Sequence, residues 1–163
     1  MLYAVEWAAG VTYLDNIIYV VCEDSSTIRL YDTDTLNRLN QSIEVVSMRD
    51  PRDIVACCYD RELYVAEYHH IWQVSVDDFC YVRWLRDQWD VCRLSLTSRR
   101  LLVTSRGPPT VRQYNTTDKQ LLSVVRLPQY VCDVHHAVET THGTFVVSHR
   151  GTPHGQWQNA VSA

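Results

Sequence analysis

The chain is poor in glycine and proline, with 5 of each among 163 residues, and it has a single lysine, Lys119. Collagen-like and linker-like chains need far more glycine or proline, so both classes are excluded. Few glycines also leave little material for the loops that cradle phosphate, and neither a P-loop nor a G-x-G-x-x-G pattern is present. Nucleotide sites of these two kinds are therefore excluded.

Long apolar runs and basic tracts are missing too. The apolar runs have the length of strands, well below the roughly 18 residues of a membrane-spanning helix. The first residues carry neither the basic leader nor the apolar core of a secretory signal. We therefore expect a cytoplasmic chain without a membrane partner. The net charge of −4 and the scattered arginines argue against a nucleic-acid partner.

What fills the chain is a series of short β-like runs. Valine and tyrosine are frequent, with 22 and 10 residues, and clusters of Asp, Asn, Ser and Thr separate the runs. No stretch of ten or more residues places apolar side chains at the spacing of a helix face. The sequence therefore predicts an all-β fold.

One strand-like run recurs along the chain. Its four copies are Ile18-Tyr19-Val20-Val21, Leu63-Tyr64-Val65-Ala66, Leu101-Leu102-Val103-Thr104 and Phe145-Val146-Val147-Ser148. The positions aligned with Tyr19 are Tyr64, Leu102 and Phe145, at spacings of 45, 38 and 43 residues. A period in this range is typical of repeat architectures, in which each unit is one small supersecondary element.

Each repeat unit contains four short strands, which is the pattern of a β-propeller blade. We predict blades at residues 10–48, 51–86 and 89–127 and a half-blade at 130–150, with 151–163 as a tail or a truncated strand. A β-sandwich also has short strands at close spacing. It predicts no repeat of about 40 residues, so the propeller is favoured.

Two segments carry a family resemblance. The run from Asp50-Pro51 through Glu62-Leu63-Tyr64-Val65-Ala66-Glu67 to His70-Ile71-Trp72 resembles an NHL or YVTN-type propeller repeat. The run Ser26 to Asp32 is similar to the third strand of a WD repeat, although the Gly-His pair of that repeat is absent. The resemblance implies a propeller, and NHL propellers often serve as protein-recognition modules. It implies no particular reaction.

About three and a half blades are too few to close a ring, since propellers close with four to eight. We therefore expect a partial propeller, either a fragment or a chain that completes its ring with a second copy. Open blade edges and faces are association surfaces, so self-association is expected as well.

Three aspartates are the candidate metal ligands. Asp53, Asp90 and Asp133 each stand at the start of the first strand of a unit, and such positions converge near one mouth of a propeller channel. Carboxylates there suit Ca²⁺, and a Ca²⁺-dependent hydrolase resembling the propeller lactonases is one alternative function. The other interpretation is structural: each Asp accepts hydrogen bonds from nearby backbone amides. No cofactor is required by that second interpretation.

The candidate partner-binding residues are Trp72, Trp84, Arg83 and Arg86, because Trp and Arg are frequent anchors of protein interfaces. Packing of both tryptophans between blades is the competing interpretation. Stacking of Trp with Arg would also suit single-stranded RNA, which some NHL propellers bind. The sequence favours a non-catalytic protein-interaction module with a protein partner over the hydrolase and over RNA binding.

Overall fold

A computed structural model of the chain describes residues 7–86, 90–128, 130–131, 133–150 and 158–162. These residues form fifteen strands and no helix. The strands are β1 (Ala8–Leu14), β2 (Ile17–Cys22), β3 (Thr27–Asp32), β4 (Arg38–Glu44), β5 (Pro51–Cys57), β6 (Glu62–Glu67), β7 (His70–Ser75), β8 (Tyr81–Arg86), β9 (Asp90–Thr97), β10 (Arg100–Arg106), β11 (Thr110–Asn115), β12 (Leu121–Arg126), β13 (Asp133–Glu139), β14 (Phe145–Arg150) and β15 (Gln158–Ser162).

The strands form four antiparallel sheets in strict chain order. Blade 1 is β1-β2-β3-β4, blade 2 is β5-β6-β7-β8, blade 3 is β9-β10-β11-β12, and blade 4 is β13-β14-β15. Every hydrogen-bonded ladder joins two consecutive strands, so each sheet is built from local hairpins. Blade 4 has a third strand because β15 pairs with β14, in the segment where the sequence suggested a tail or a truncated strand.

The second strand of a central blade shows why the blades must stack. In β6, Leu63, Tyr64, Val65 and Ala66 are all completely buried. Side chains alternate between the two faces of a strand. Leu63 and Val65 accordingly pack in the core shared with blade 1, whereas Tyr64 and Ala66 pack in the core shared with blade 3. A continuous apolar run is therefore stable only because both faces of the sheet are covered.

The first strand of each blade lies innermost and packs on the first strand of the next blade, in the order β1, β5, β9 and β13. Gly10 allows β1 to approach β5 closely, because a Cβ atom there would lie 2.8 Å from the backbone nitrogen of Ile54. No comparable packing joins β13 back to β1 within the described residues. The ring is open.

The opening leaves one face of blade 1 uncovered. Val11 and Tyr13 are 63% and 70% exposed, although both lie on the innermost strand. They pair with Val20 and Ile18 of β2, so these four side chains share one face of the sheet. The corresponding faces of blades 2 and 3 are covered by the preceding blade.

The hairpins between the third and fourth strands repeat the same backbone hydrogen bonds. The nitrogens of Asp32, Ser75 and Asn115 donate to the carbonyls of Asn37, Cys80 and Gln120, at 3.1, 2.9 and 2.9 Å. The residue before each acceptor, Leu36, Phe79 or Lys119, has a positive φ of 56°, 59° or 63°. The end of the propeller that carries these turns is called the hairpin end below.

The opposite end, where the innermost strands begin, is called the channel mouth.

Among the described residues, no helix has the length and apolar character that crossing a membrane requires.

Candidate functional site

Each innermost strand begins with a β-bulge. The register between the first and second strands of a blade slips by one residue, and the extra residues are Ala9, Arg52, Cys92 and His135. A bulge bends the strand and turns its side chains in new directions. Four equivalent bulges therefore set the directions of the side chains around the channel mouth.

The bulges correct the alignment of the candidate metal ligands. The residues that directly follow them are Gly10, Asp53, Arg93 and His136. Counted from the bulges, Asp90 and Asp133 are equivalent to Asp50 and not to Asp53. The assumption that Asp53, Asp90 and Asp133 occupy equivalent positions is therefore wrong, because Asp53 directly follows its bulge whereas Asp90 and Asp133 each lie two residues before theirs. By the same count Val146, not Phe145, takes the place of Tyr64.

Asp53 joins blade 2 to blade 3. Its Oδ2 accepts a hydrogen bond from the backbone nitrogen of Leu94 at 2.8 Å, and its Oδ1 accepts one from the backbone nitrogen of Ile54 at 3.0 Å. Burial raises the pKa of Asp53, while these amides and the charges of Arg93 and His136 act in the opposite direction. Both carboxylate oxygens thus accept hydrogen bonds from backbone amides, as the structural interpretation expects.

Asp90 has a different partner. Its Oδ1 lies 2.9 Å from Nη1 of Arg52, the bulge residue of blade 2, and Arg52 also lies 3.8 Å from Asp50. The guanidinium of Arg52 stacks on the ring of Tyr68, 4.4 Å from its centroid. Arg52 therefore links two carboxylates and an aromatic ring at the mouth, and the pair with Asp90 joins blade 2 to blade 3.

These contacts do not assemble a metal centre. Across the described residues, no group of three or more His, Cys, Asp or Glu side chains is placed to hold a cation. The side chain of Asp133 lies outside the described part of the chain. The carboxylate oxygens of Asp53 accept hydrogen bonds from backbone amides, and Asp90 pairs with the guanidinium of Arg52. The Ca²⁺ site stays a prediction that rests on the sequence.

A cavity of about 390 Å³ lies at the channel mouth. Its wall includes Glu23 from blade 1, Asp50 and Arg52 from the start of blade 2, Arg93 and Arg106 from blade 3, and His135 from blade 4. All four blades contribute to it, so its shape depends on the whole arrangement of the sheets. The volume falls within the usual range of ligand sites, which begins at about 300 Å³.

Further hydrogen bonds between blades fix the cavity wall. Arg93 donates from Nη1 to the carbonyl of Arg52, and Nε2 of His136 donates to the carbonyl of Leu94 at 3.1 Å. The two blade 3 residues in these hydrogen bonds, Arg93 and Leu94, both belong to β9. The innermost strand of blade 3 is tied to both of its neighbours at this end.

The candidate partner-binding tryptophans are buried. Trp72 donates from Nε1 to Oε2 of Glu67 at 2.7 Å and belongs to the core between blades 1 and 2. Trp84 packs edge-on against Tyr64 and Tyr114, with centroid distances of 5.4 and 5.5 Å, in the core between blades 2 and 3. Both indoles pack between blades, which is the competing interpretation given by the sequence.

Arg83 and Arg86 are exposed on β8, the outermost strand of blade 2. The guanidinium of Arg83 lies 4.9 Å from the centroid of the Trp72 ring, on the outer side of the blade. The four candidate residues therefore do not form one exposed patch. A partner-binding role for Arg83 and Arg86 stays a prediction.

Tyr68 is the aromatic residue at the mouth that sequence reasoning missed. It follows β6 directly, and its carbonyl accepts a hydrogen bond from the backbone nitrogen of Val91 at 2.9 Å. Trp7 is exposed at the same end, where its carbonyl accepts a hydrogen bond from the nitrogen of Glu23. Only its position in the sequence could have indicated that Tyr68 lies at the mouth. It stands in the short turn between two recognisable strands, at the end where the innermost strands begin.

Comparisons with known proteins support the fold. No described family matches the sequence, and no curated protein does. Among solved structures, hydrazine synthase of Kuenenia stuttgartiensis superposes with a TM-score of 0.74 at 14% identity, over 89% of this chain and 44% of that one. The WD40 β-propeller domain of Doa1 gives 0.68 at 15% identity, over 88% and 48%.

A chain in a nidogen/laminin complex gives a TM-score of 0.68 at 12% identity, over 92% of this chain and 59% of that one. This chain thus spans about half the length of these structures. At such low identity the likeness shows the fold and no more. The predicted all-β, partial β-propeller with its WD-like repeat architecture is confirmed.

Proposed function

We propose that the chain is a non-catalytic protein-interaction module that binds a protein partner at its channel mouth. The observation that carries the proposal is the cavity to which all four blades contribute. Residues far apart in sequence meet there only in the folded propeller. A partner that contacts this surface therefore recognises the assembled fold and not a linear segment.

The composition of the mouth supports a protein partner. Interface hot spots are enriched in Trp, Tyr and Arg, and the mouth presents Trp7, Tyr68, Arg52 and Arg93. Its charges are mixed, since Glu23 and Asp50 share the wall with the arginines. A nucleic-acid backbone favours a continuous basic surface, so this mixture favours protein over RNA.

The test uses two tyrosines in matched settings. Tyr68 lies at the mouth, 43% exposed, with Arg52 stacked on its ring at 4.4 Å. Tyr59 lies at the hairpin end, 60% exposed, with Arg99 at 5.9 Å from its ring centroid. The wild type and the variants Tyr68→Ala and Tyr59→Ala are compared by quantitative affinity capture, and each captured protein is then purified and titrated by calorimetry.

We expect one defined protein whose binding weakens at least about tenfold in Tyr68→Ala, as expected for loss of a hot-spot aromatic side chain. Tyr59→Ala should bind it like the wild type. Equal losses in both variants, or binding that neither variant changes, would contradict a binding surface at the mouth.

We also propose that the uncovered face of blade 1 binds blade 4 of a second copy. The face that contains Val11 and Tyr13 is equivalent to the faces of blades 2 and 3 that a preceding blade covers. The occupant that continues this interface is the outer face of a last blade. Two copies that exchange these contacts would close a ring of eight sheets, four from each, within the size range of propellers.

Sedimentation velocity over a range of concentrations tests this proposal. The wild type should show a concentration-dependent dimer, and Tyr13→Glu should be monomeric because it places a charge in the interface. Val82→Glu, at an exposed position on the outermost strand β8, is the control and should still dimerise. A wild type that stays monomeric at every concentration contradicts the proposal, whether the face stays open or closes within one chain.

A further inference from the structure

Arg93 lies at the channel mouth and makes one described hydrogen bond. It follows the bulge of β9 and donates from Nη1 to the carbonyl of Arg52. A guanidinium has five N–H donors, so this bond occupies a small part of its capacity. Arg93 also lines the cavity, where a ligand can reach it.

Arg93 differs from Arg52 in its contacts with carboxylates. Among the side chains that the structure describes, no Asp or Glu lies within ion-pair distance of the Arg93 guanidinium. The charge of Arg93 acts to lower the pKa of Asp53, but both oxygens of that carboxylate already accept hydrogen bonds from backbone amides. Arg52, by contrast, is paired with Asp90 and lies near Asp50. Arg52 and Arg93 lie on opposite sides of the interface between blades 2 and 3. The guanidinium of Arg93 is therefore more available to an anionic ligand than that of Arg52.

From this geometry we infer that the channel mouth binds a carboxylate group of a partner polypeptide, with Arg93 as its anchor. The inference rests on the proposed function, since it names the chemistry that the mouth recognises. Arg matches a carboxylate with two parallel N–H···O bonds, which gives both strength and orientation. The cavity of about 390 Å³ admits a side chain or a chain terminus.

The surrounding charges select a single carboxylate over a phosphate. Glu23 and Asp50 stand on the same cavity wall and repel an anion of higher charge, because like charges in a partly desolvated site interact strongly. A phosphate monoester carries close to two charges at neutral pH, whereas a carboxylate carries one. The wall carries three arginines and two carboxylates, and this small excess of positive charge suits a carboxylate better than a phosphate.

The experiment titrates the protein with short synthetic peptides and follows the arginine side-chain Nε–Hε signals by NMR. One peptide, acetyl-Gly-Gly-Asp-Gly-Gly-amide, offers a side-chain carboxylate, and a second, acetyl-Gly-Gly-Gly-Gly with a free C-terminus, offers a terminal one. The Asn version of the first peptide and inorganic phosphate are the comparison ligands. The signal of Arg93 is assigned by its absence in Arg93→Lys.

We expect saturable shifts of the Arg93 signal with at least one carboxylate peptide. The peptide that binds more tightly identifies whether the partner's carboxylate belongs to a side chain or to a chain terminus. Arg93→Gln should weaken binding about tenfold, the effect of losing a charge-assisted pair. Arg93→Lys should weaken it less, because lysine keeps the charge and loses the planar fork. If Arg93→Gln does not fold, Arg93→Lys carries the comparison. Arg99→Gln, at the hairpin end, should bind like the wild type.

The inference would be overturned by no shift with either carboxylate peptide, by an equal affinity for the Asn peptide, or by tighter binding of phosphate. An equal loss in Arg99→Gln would do the same. Failure of this inference is separable from failure of the proposed function. If the peptides fail and Tyr68-dependent partner binding persists, only the carboxylate anchor is wrong. If the peptides bind and no Tyr68-dependent partner is found, only the proposed partner interaction is wrong.

Discussion

The two ends of the propeller are built from the same repeat and differ in how strictly they repeat it. At the hairpin end, three blades use the same backbone bonds, and the following residues Thr33, Val76 and Thr116 also donate to the carbonyls of Asn16, Arg61 and Arg99, at 3.2, 3.1 and 2.9 Å. At the mouth, four equivalent bulges are followed by four different residues, Gly10, Asp53, Arg93 and His136.

The hairpin end shows the backbone features that the fold requires in every blade, whereas the mouth shows positions whose residues differ between blades. Turn geometry depends on local backbone bonds, so every blade needs the same solution at the hairpin end. At the mouth the blades share the bulge, and the residue after it differs from blade to blade: it is small in blade 1, acidic in blade 2 and basic in blade 3. Variation at positions that share one backbone geometry is what a binding surface built on a rigid repeat requires.

The largest effect should come from removing a half-buried acceptor at the mouth, the carboxylate of Asp53. Asp53→Ala leaves the amides of Leu94 and Ile54 without the acceptor that both use. Each buried unsatisfied donor costs about 1–3 kcal/mol, so we expect a loss of about 2–4 kcal/mol in the free energy of unfolding. Urea denaturation measures it. Asp32→Ala is the matched change in an exposed turn, and it should cost distinctly less.

The same two aspartates should respond to pH with opposite sign. Burial raises the pKa of Asp53 above its ordinary value of 3.8. The unfolded chain then ionises first, so stability contributed by the protonated Asp53 is lost as the pH rises from 3.8 through the folded-state pKa. At Asp32, hydrogen bonds from Thr35 lower the pKa, so its stabilising effect is present above 3.8 and is lost as the pH falls.

Urea denaturation of wild type, Asp53→Asn and Asp32→Asn at several pH values measures both effects. Relative to Asp53→Asn, the wild type should lose stability as the pH rises above 3.8. Relative to Asp32→Asn, it should lose stability as the pH falls below 3.8. If both differences in stability changed with pH in the same direction, the pKa values of Asp53 and Asp32 would not be shifted in opposite directions.

A smaller effect should distinguish two glycines. Gly10 at the mouth is required for space, since a Cβ there would lie 2.9 Å from Cα of Asp53, whereas Gly143 at the hairpin end has open space and a φ of +76°. Gly10→Ala should cost about 1–3 kcal/mol because blade 1 must move away from blade 2. Gly143→Ala should cost about 1 kcal/mol, the penalty of a left-handed conformation. Thermal unfolding compares them, and a larger cost at Gly143 would contradict the close approach of β1 and β5.

The smallest effect concerns the ion pairs of the hairpin end. Arg61 bridges Asp15 of blade 1 and Asp77 of blade 2, the latter at 2.8 Å, with all three side chains well exposed. Exposed ion pairs contribute little because water screens them. Arg61→Gln should therefore leave the midpoint of urea unfolding unchanged within error. A clear drop would mean that this end, too, holds the blades together electrostatically.

The sequence allowed the strands and their repeat to be predicted because they depend on short-range patterns. The run Leu63 to Ala66 is apolar at every position, and the structure buries it on both faces. The bulges could not be predicted in the same way. One extra residue in a short strand leaves no mark on composition. Without the bulges as reference points, the sequence aligned Asp53 with Asp90, whereas the structure aligns it with Arg93.

The candidate partner residues show a second limit. Trp72 and Trp84 are of the residue type that often anchors an interface. Whether a tryptophan on a strand is exposed depends on how the neighbouring blade packs, and both of these are buried between blades. Arg93 and Tyr68 carry no motif. Their importance arises from the cavity and from the contact between blades, which exist only after four sheets have packed.

The strict pairing of consecutive strands has a consequence for cutting the chain. No ladder crosses from one sheet to another, so a break between β8 and β9 severs no strand pairing. The two pieces would be joined by side-chain packing around Tyr64, Trp84 and Tyr114 and by the hydrogen bonds of Asp53 and Arg93. The protein is thus suited to fragment complementation, in which two separately produced halves reassemble without exchanging a strand.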